Sequence, residues 1–350
     1  MKRAYIYVFL AAAALFLLSC QRHEPEKTEP MLSFSATAED AHEVRSGVDS
    51  EKTDGTNLTE SPFGVYGIYT PTGQEEEGTN VFLSSSAMEV THNGADWTYS
   101  PTAYWSINQF YRFRAFHPFS GEAFTVNPVS DANRLLIEYK IASGQEDLLV
   151  GFKPVEATID NIQKKVQIEF RHALCGLQFK IAFEDSEDIE DDYTDNITMF
   201  HLHGFIPTGT LVYGHQDGNY NSEELRWIAT YYDDSEYYEW TGLKSFGKHN
   251  GKKNDEGSNA VSIFDDLNGS GEGIVFAIPQ TISSAPEKPT SVHFKTSGGG
   301  SAIHEAVLPK HTWEPGNIYT YTLLIKKSDI KVMLSIKEWN EIQSNENIYI

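Results

Sequence analysis

The chain has 350 residues, and its 50 acidic and 27 basic side chains give a formal net charge of −23. A surface of this sign repels phosphate backbones and anionic lipid headgroups, which excludes nucleic-acid binding and membrane attachment through a basic patch. Aromatic side chains make up 13% of the chain, with 18 tyrosines and 20 phenylalanines, a composition that suits packed β-sheet.

The first residues have the pattern of a bacterial lipoprotein export signal. Lys2 and Arg3 form a positive start, and the apolar segment that includes Ala11–Leu18 is too short to remain as a membrane span. The run Leu17-Leu18-Ser19-Cys20 then matches a lipobox, with a small residue before the thiol that is acylated. We therefore predict lipidation of Cys20. The alternative is an ordinary secretory signal that happens to contain a cysteine.

The next residues, 21–30, are polar and contain two prolines, which indicates a flexible tether. From residue 31 onward apolar and polar residues alternate, as in β-strands, and helical periodicity is scarce. Turn residues such as Asn93-Gly94 separate the segments. The strands predicted in the first half are Leu32–Thr37, Phe63–Tyr69, Met88–Thr91, Tyr111–Phe116, Arg134–Ile141 and Asp147–Phe152.

A second set of strands follows a predicted hinge at Ala157–Gln163, and the stretch Ser222–Ile228 leaves room for short helical turns. The strands of this set are Lys165–Phe170, Leu174–Phe183, Ile197–Phe205, Thr210–Tyr213, Gly273–Ile278, Ser291–Lys295, Tyr319–Ile325 and Ile330–Ile336. The sequence thus predicts an all-β protein with two β-sandwich domains in tandem. The predicted divisions are a lipoprotein signal peptide (1–19), a lipidated tether (20–30), an N-terminal sandwich (31–160) and a C-terminal sandwich (161–350).

Candidate metal ligands occur in two places. The loop Glu184–Asp195 is rich in the carboxylates that Ca²⁺ prefers, but it lacks the spacing and turn glycine of a calcium loop, so a solvated loop is favoured. His201 and His203 would share one face of a strand, as zinc ligands do, but the nearest third histidine in sequence is His215, across a turn. We therefore predict no metal site, and we expect His172 to be a packed, hydrogen-bonded histidine.

Catalytic signatures are equally weak. Cys175 lies in an apolar strand without a clear base partner, which indicates a buried hydrophobe and not a nucleophile. Motifs of hydrolases, metalloproteases and nucleotide-binding enzymes do not occur in the sequence. A glycosidase would need a pair of carboxylates whose geometry a sequence cannot supply. We predict no catalytic residues, no enzymatic activity and no cofactor.

Several aromatic motifs follow one another along the chain. They are Trp97–Trp105 (WTYSPTAYW), Tyr111–Pro118 (YRFRAFHP), Val166–Leu174 (VQIEFRHAL), Trp313–Tyr321 (WEPGNIYTY) and Ile336–Trp339 (IKEW). Together with the lipobox, they resemble the fimbrillin family, the two-domain subunits of lipoprotein-derived pili in Gram-negative anaerobes. The resemblance covers nearly the whole chain, in the order that the family shows.

These motifs also make physical sense as structure. The aromatic residues around Pro101 suit the closure of one end of a sandwich core; they are Trp97, Tyr99, Tyr104 and Trp105. The Pro315-Gly316 turn would deliver alternate residues of the following strand to one face; they are Tyr319, Tyr321 and Leu323. The motifs therefore indicate a fold and not a reacting centre.

The resemblance implies transthyretin-like sandwich domains that polymerise by strand addition, with other fimbrial subunits as partners and the lipid as the link to the outer membrane. In that scheme Leu32–Ala38 is the displaceable strand, Arg45 is the candidate processing site, and Asn347–Ile350 is part of a donor strand. A host protein or glycan is a further partner if the subunit is an adhesin. The resemblance leaves the shaft, tip and anchor positions open.

One alternative stays open beside the pilus subunit. A monomeric surface lipoprotein could bind glycan or a host ligand through the aromatic residues Tyr231-Tyr232 and Tyr237–Trp240, because exposed aromatic rings stack on sugars. The same residues would equally fill the core of the second domain.

Overall fold

The computed structural model describes residues 30–38, 58–74, 78–82, 86–127, 133–141, 145–183, 197–214, 218–229, 238–239, 243, 260–264, 273–296, 302–325, 330–338 and 347–348. Within these ranges the chain forms β-strands and no α-helix, which confirms the predicted all-β class. Among the same residues there is accordingly no helix long and apolar enough to cross a membrane.

The strands are numbered here in chain order. The first twelve are β1 Phe34–Ala38, β2 Phe63–Pro71, β3 Thr79–Asn80, β4 Met88–His92, β5 Trp97–Thr98, β6 Gln109–His117, β7 Phe124–Asn127, β8 Arg134–Lys140, β9 Leu149–Glu156, β10 Val166–His172, β11 Cys175–Phe183 and β12 Ile197–His203. The others are β13 Thr208–Gly214, β14 Leu225–Ala229, β15 Tyr238–Glu239, β16 Val261–Ser262, β17 Ile274–Ala277, β18 Gln280–Thr281, β19 Ser291–Thr296, β20 His304–Val307, β21 Thr312–Trp313, β22 Asn317–Ile325, β23 Ile330–Glu338 and β24 Asn347–Ile348.

Each strand predicted from alternation is present, with its ends moved by a few residues. The helical turns considered near Ser222–Ile228 are wrong. This segment contributes strand β14, because its backbone pairs with β13 from Gly209 to Tyr213. Pairing with a neighbouring strand thus overrides the local composition.

The largest sheet contains eight strands in the order β1-β10-β9-β6-β2-β4-β5, with β3 beside β2. Strand β1 lies at its end and pairs in parallel with β10, from Phe34 opposite Val166 to Ala38 opposite Phe170. The other neighbouring strands in this sheet pair antiparallel. In β10, Val166, Ile168 and Phe170 are buried and the residues between them are exposed. This alternation with a period of two arises because one face of the strand packs against the core.

In the described part of the chain, the remaining strands form four smaller sheets. Their orders are β16-β11-β22-β23-β24 with β17 beside β11, then β15-β12-β19-β20, then β14-β13-β8-β7, and finally the pair β18-β21. In the first of these, β11 and β22 pair in parallel. Tyr319, Tyr321 and Leu323 occupy alternate positions of strand β22, so they share one face as predicted, and all three are buried.

Among the residues that the structure describes, two hydrophobic clusters form the interior. The first core is enclosed by the eight-stranded sheet and includes Leu32, just before β1, and Phe34 of β1. The second core is larger and joins β8 to β13, for example Leu135 and Ile137 to Leu211. Strand β8 therefore packs with strands that come much later in the chain.

The predicted hinge at Ala157–Gln163 is the turn that joins β9 to β10, which pair antiparallel in one sheet. Ala157 and Ile162 of this turn are buried in the first core. The division of the sandwich domains at residues 160 and 161 falls within this turn. It stays a prediction, as does their transthyretin-like type.

Candidate assembly site at the N-terminal strand

The start of β1 is held from both sides. On one side the Leu32 N–H donates a hydrogen bond to the Ala103 carbonyl oxygen at 2.9 Å. On the other side the Val166 N–H donates to the carbonyl oxygen of Ser33 at 2.7 Å. The segment that follows β5 and the strand β10 therefore clamp the chain as it enters the sheet.

Two side chains anchor this region in the first core. Leu32 and Phe34 are fully buried. The Phe34 ring meets three other rings edge-on, with centroid distances of 5.5 Å to Tyr99, 5.5 Å to Phe113 and 6.3 Å to Phe63. Each such pair contributes about 0.5–1.5 kcal/mol beyond the area that it buries. An edge strand thus supplies a central residue of the core.

The first aromatic motif fastens β1 through its backbone. The Tyr99 hydroxyl donates to the Leu32 carbonyl oxygen at 2.7 Å, and burial raises the pKa of Tyr99, which favours the protonated, donating form. Trp97 packs against the first core and Trp105 is buried within it, as predicted. Tyr104 is different: 54% of its surface is exposed, so its predicted role in closing the core is wrong.

The geometry determines what the departure of β1 would expose. Because β1 is the terminal strand, β10 would be left with one unpaired edge over residues 166–170. The space vacated by Leu32 and Phe34 would open onto the rings of Phe63, Phe82 and Phe113. We call this edge and space the β1 slot. Unpaired strand edges beside apolar surface are docking places for another strand.

The candidate processing and donor residues can be placed in the chain relative to this slot. Arg45 lies outside the described residues, but it falls between the end of β1 at Ala38 and the start of β2 at Phe63. A cut after Arg45 would therefore leave β1 attached by non-covalent contacts alone. Of the donor-strand candidate, Asn347–Ile348 forms β24 and pairs with β23 of the same chain.

Two residues that sequence analysis weighed as functional are structural. His172 is buried and its Nδ1 lies 2.8 Å from Oδ2 of Asp147, which confirms a packed histidine with a carboxylate beside it. Cys175 is fully buried and its thiol donates to the Ala277 carbonyl oxygen at 3.3 Å. Burial raises the pKa of Cys175, so the reactive thiolate is disfavoured.

Other sequence candidates fall outside the described residues and stay predictions. They are Cys20, the acidic loop Glu184–Asp195, His215, Tyr231, Tyr232, Tyr237 and Trp240. Tyr238 belongs to β15, where its backbone pairs with that of Leu202.

His201 and His203 lie on β12, and the structure adds a third histidine that sequence analysis missed. His293 of β19 stands directly across from His201. The His203 and His293 rings are stacked with centroids 3.9 Å apart, and those of His201 and His203 are 6.2 Å apart. Burial, together with the neighbouring His293 and His201, lowers the pKa of His203 to about 4. Only strand pairing brings His293 beside His201 and His203, so its position in the sequence gave no signal.

Comparison with known proteins establishes the family. Residues 52–339 match the model of the fimbrillin-like family, and the chain belongs to that family. No curated protein matches the chain.

Three solved structures from Bacteroides species share the fold. A fimbrial protein from Bacteroides vulgatus superimposes with a TM-score of 0.58 at 17% identity, over 88% of this chain and 99% of that one. A candidate cell adhesion protein from Bacteroides uniformis gives 0.54 at 13% identity, over 89% and 100%. A second one, from Bacteroides ovatus, gives 0.51 at 12% identity, over 91% and 100%. At these identities the similarity concerns the fold.

Proposed function

We propose that the chain is a lipid-anchored fimbrial subunit or fimbria-associated adhesin that assembles by donor-strand addition. The observation that carries the proposal is the position of β1, a terminal strand that with Leu32 completes the first core. Membership of the fimbrillin-like family supports the fimbrial role. The fold shared with a fimbrial protein of Bacteroides vulgatus is consistent with it.

The anchor in this proposal is a lipid on Cys20, which holds the mature protein at the outer membrane through the polar residues 21–30. With a formal net charge of −23, the protein has no excess of basic residues that would bind it to an anionic membrane without the lipid. Replacement of Cys20 by serine should therefore move the protein from the membrane fraction to the soluble fraction. Retention of the Cys20→Ser variant in the membrane would contradict lipid anchoring.

Assembly begins with a cut after Arg45, which frees β1 to leave the β1 slot. A strand from the next subunit then pairs with β10, and the C-terminal segment Asn347–Ile350 is our candidate for part of it. Full burial of a leucine or phenylalanine side chain is worth roughly 1.5–3 kcal/mol. The donor must therefore present large apolar residues at alternate positions to recover what Leu32 and Phe34 contributed.

The role proposed is structural, with other fimbrial subunits as partners and, for an adhesin, a host protein or glycan. Neither an enzymatic activity nor a cofactor is part of it. The side chains that carry the family motifs pack as a scaffold: the Trp313 indole N–H, for instance, donates to the Tyr321 hydroxyl at 2.7 Å inside the second core.

The test is limited proteolysis of the purified, unlipidated protein (residues 21–350) with an arginine-specific protease. We expect a new N-terminus at Ser46 and a ladder of SDS-resistant species on gels of samples that have not been boiled. The Arg45→Lys variant is the matched control, because it keeps the charge and removes the cleavage site. In that variant both the new N-terminus and the ladder should be missing.

The outcomes separate the alternatives. A protein that stays uncut and monomeric would contradict cleavage-triggered assembly and favour a monomeric lipoprotein that binds glycan or a host ligand. Cleavage without a ladder would restrict the role to a tip or anchor subunit, or to one that needs a different donor.

A further inference from the structure

Titratable side chains form a row across the four-stranded sheet β15-β12-β19-β20. Glu239 stands opposite His201, His201 opposite His293, and His293 opposite Glu305. His203, two residues beyond His201 on the same face, stacks on His293. Three imidazoles flanked by two carboxylates thus share one surface of the sheet. We call His201, His203 and His293 the histidine cluster.

We propose that the histidine cluster binds one divalent transition-metal ion of the zinc class. Imidazole nitrogen is a preferred ligand of Zn²⁺, and three protein ligands suffice when a further position is left to water. Imidazoles that share one tetrahedral ion through Zn–N bonds of about 2 Å have ring centroids about 5 Å apart. The observed separations of 3.9 and 6.2 Å lie on either side of that value.

The rings must turn to form the site. As they are oriented, no three histidine, cysteine or acidic side chains among the described residues are arranged to hold a metal ion. His201 and His293 instead direct Nε2 towards carboxylates, at 3.5 Å from Glu239 and 3.4 Å from Glu305. The χ2 torsion of histidine is broad and roughly twofold, so reorientation leaves the strands in place.

The surroundings suit a cation. Metal-bound histidines commonly donate their other ring N–H to a carboxylate; Glu239 and Glu305 lie opposite His201 and His293 in the sheet and would accept it from the turned rings. These carboxylates are more than half exposed, while the His201 and His293 side chains are 11% and 26% exposed. An ion can therefore enter from solvent, and the carboxylates would offset its charge. Once bound, it would tie β12 to β19.

The experiment is a zinc titration of the mature protein, purified without a polyhistidine tag, stripped with a chelator, and followed in competition with a chromophoric chelator. We expect one Zn²⁺ per chain, a higher melting temperature with Zn²⁺, and the visible bands of tetrahedral Co²⁺ when cobalt replaces zinc. The double variant His203→Gln/His293→Gln should lose all three. Glu305→Gln should weaken binding by about 10–100-fold.

His304 provides the matched control. It lies on β20 and stacks on Phe294, next to the row but on the other face of the sheet. The His304→Gln variant should bind zinc like the wild type. Equal melting temperatures of all variants in chelator would show that folding is intact. Absence of zinc binding by the wild type, or undiminished binding by the double variant, would overturn the proposal.

Discussion

Replacement of Phe34 by alanine tests whether the burial of this side chain holds the edge strand β1 in the sheet. Phenylalanine-to-alanine changes in protein cores cost about 3–5 kcal/mol, more where the cavity cannot collapse. Phe34 is fully buried and touches several rigid aromatic rings, so little collapse is expected. We therefore expect a loss of about 4 kcal/mol, close to a 1000-fold change in the equilibrium between seated and released β1.

Hydrogen exchange at the backbone of β10 measures this release directly. The Val166 N–H donates to the Ser33 carbonyl oxygen, so its exchange requires the clamp on β1 to open. In Phe34→Ala its exchange should accelerate by roughly 1000-fold, or up to the limit set by global unfolding. Ser35→Ala, the next position on β1, is the matched control, because Ser35 is not part of the first core. In Ser35→Ala, exchange of the Val166 N–H should accelerate by less than about tenfold.

One result would refute this reasoning. If Phe34→Ala and Ser35→Ala accelerated exchange equally, or if both stayed within about 1 kcal/mol of the wild type, Phe34 would not be what holds β1 in the sheet. Filling the β1 slot with apolar side chains would then contribute little to the stability of the sheet.

Three further predictions concern stability. Burial lowers the pKa of His117 from 6.5 to about 4, so the folded protein favours the neutral imidazole. The resulting stabilisation, on the order of 3 kcal/mol, is fully present above pH 6.5 and is lost as the pH falls towards 4. His117→Gln should therefore flatten the pH dependence of the free energy of unfolding in urea, and an unchanged pH dependence would contradict this. Tyr99→Phe removes the donor to Leu32 and should lower the free energy of unfolding, measured with urea, by about 0.5–1.5 kcal/mol. An unchanged free energy of unfolding would contradict a stabilising role of this hydrogen bond. In Gly151→Ala the new Cβ would lie 2.6 Å from Ile168 Cγ2, and this overpacking should lower the free energy of unfolding by about 1–3 kcal/mol. An undiminished melting temperature would show that β10 moves aside without loss of stability.

Period-two alternation located the strands well, because burial of one sheet face imposes it directly on the sequence. Strand β10 is a clear case, with Val166, Ile168 and Phe170 inside. Strand β14 was missed for the opposite reason: its residues Leu225–Ala229 lack fully buried positions, and pairing with β13 determines their conformation.

The sites depend on contacts between distant parts of the chain. Alternation predicted a strand at Leu32–Thr37, but not that its partner is β10 or that the pairing is parallel. In the same way, His201 and His203 were visible as a pair, whereas His293 became their neighbour only through the register of β12 and β19. Register is set by the whole sheet and not by local spacing.

The parallel pairing of β1 also fixes an order of events during folding. Phe34 lies opposite Val166, about 130 residues later in the chain, so β1 cannot pair with β10 until that later strand has been synthesised. Closing a loop of that length has an entropic cost that must be met before the contact is gained, which makes such pairings slow. Until then the edge of β10 is vacant, and an unpaired strand edge is a template for pairing with another chain. The intact covalent link gives each chain's own strand the advantage of a high effective concentration.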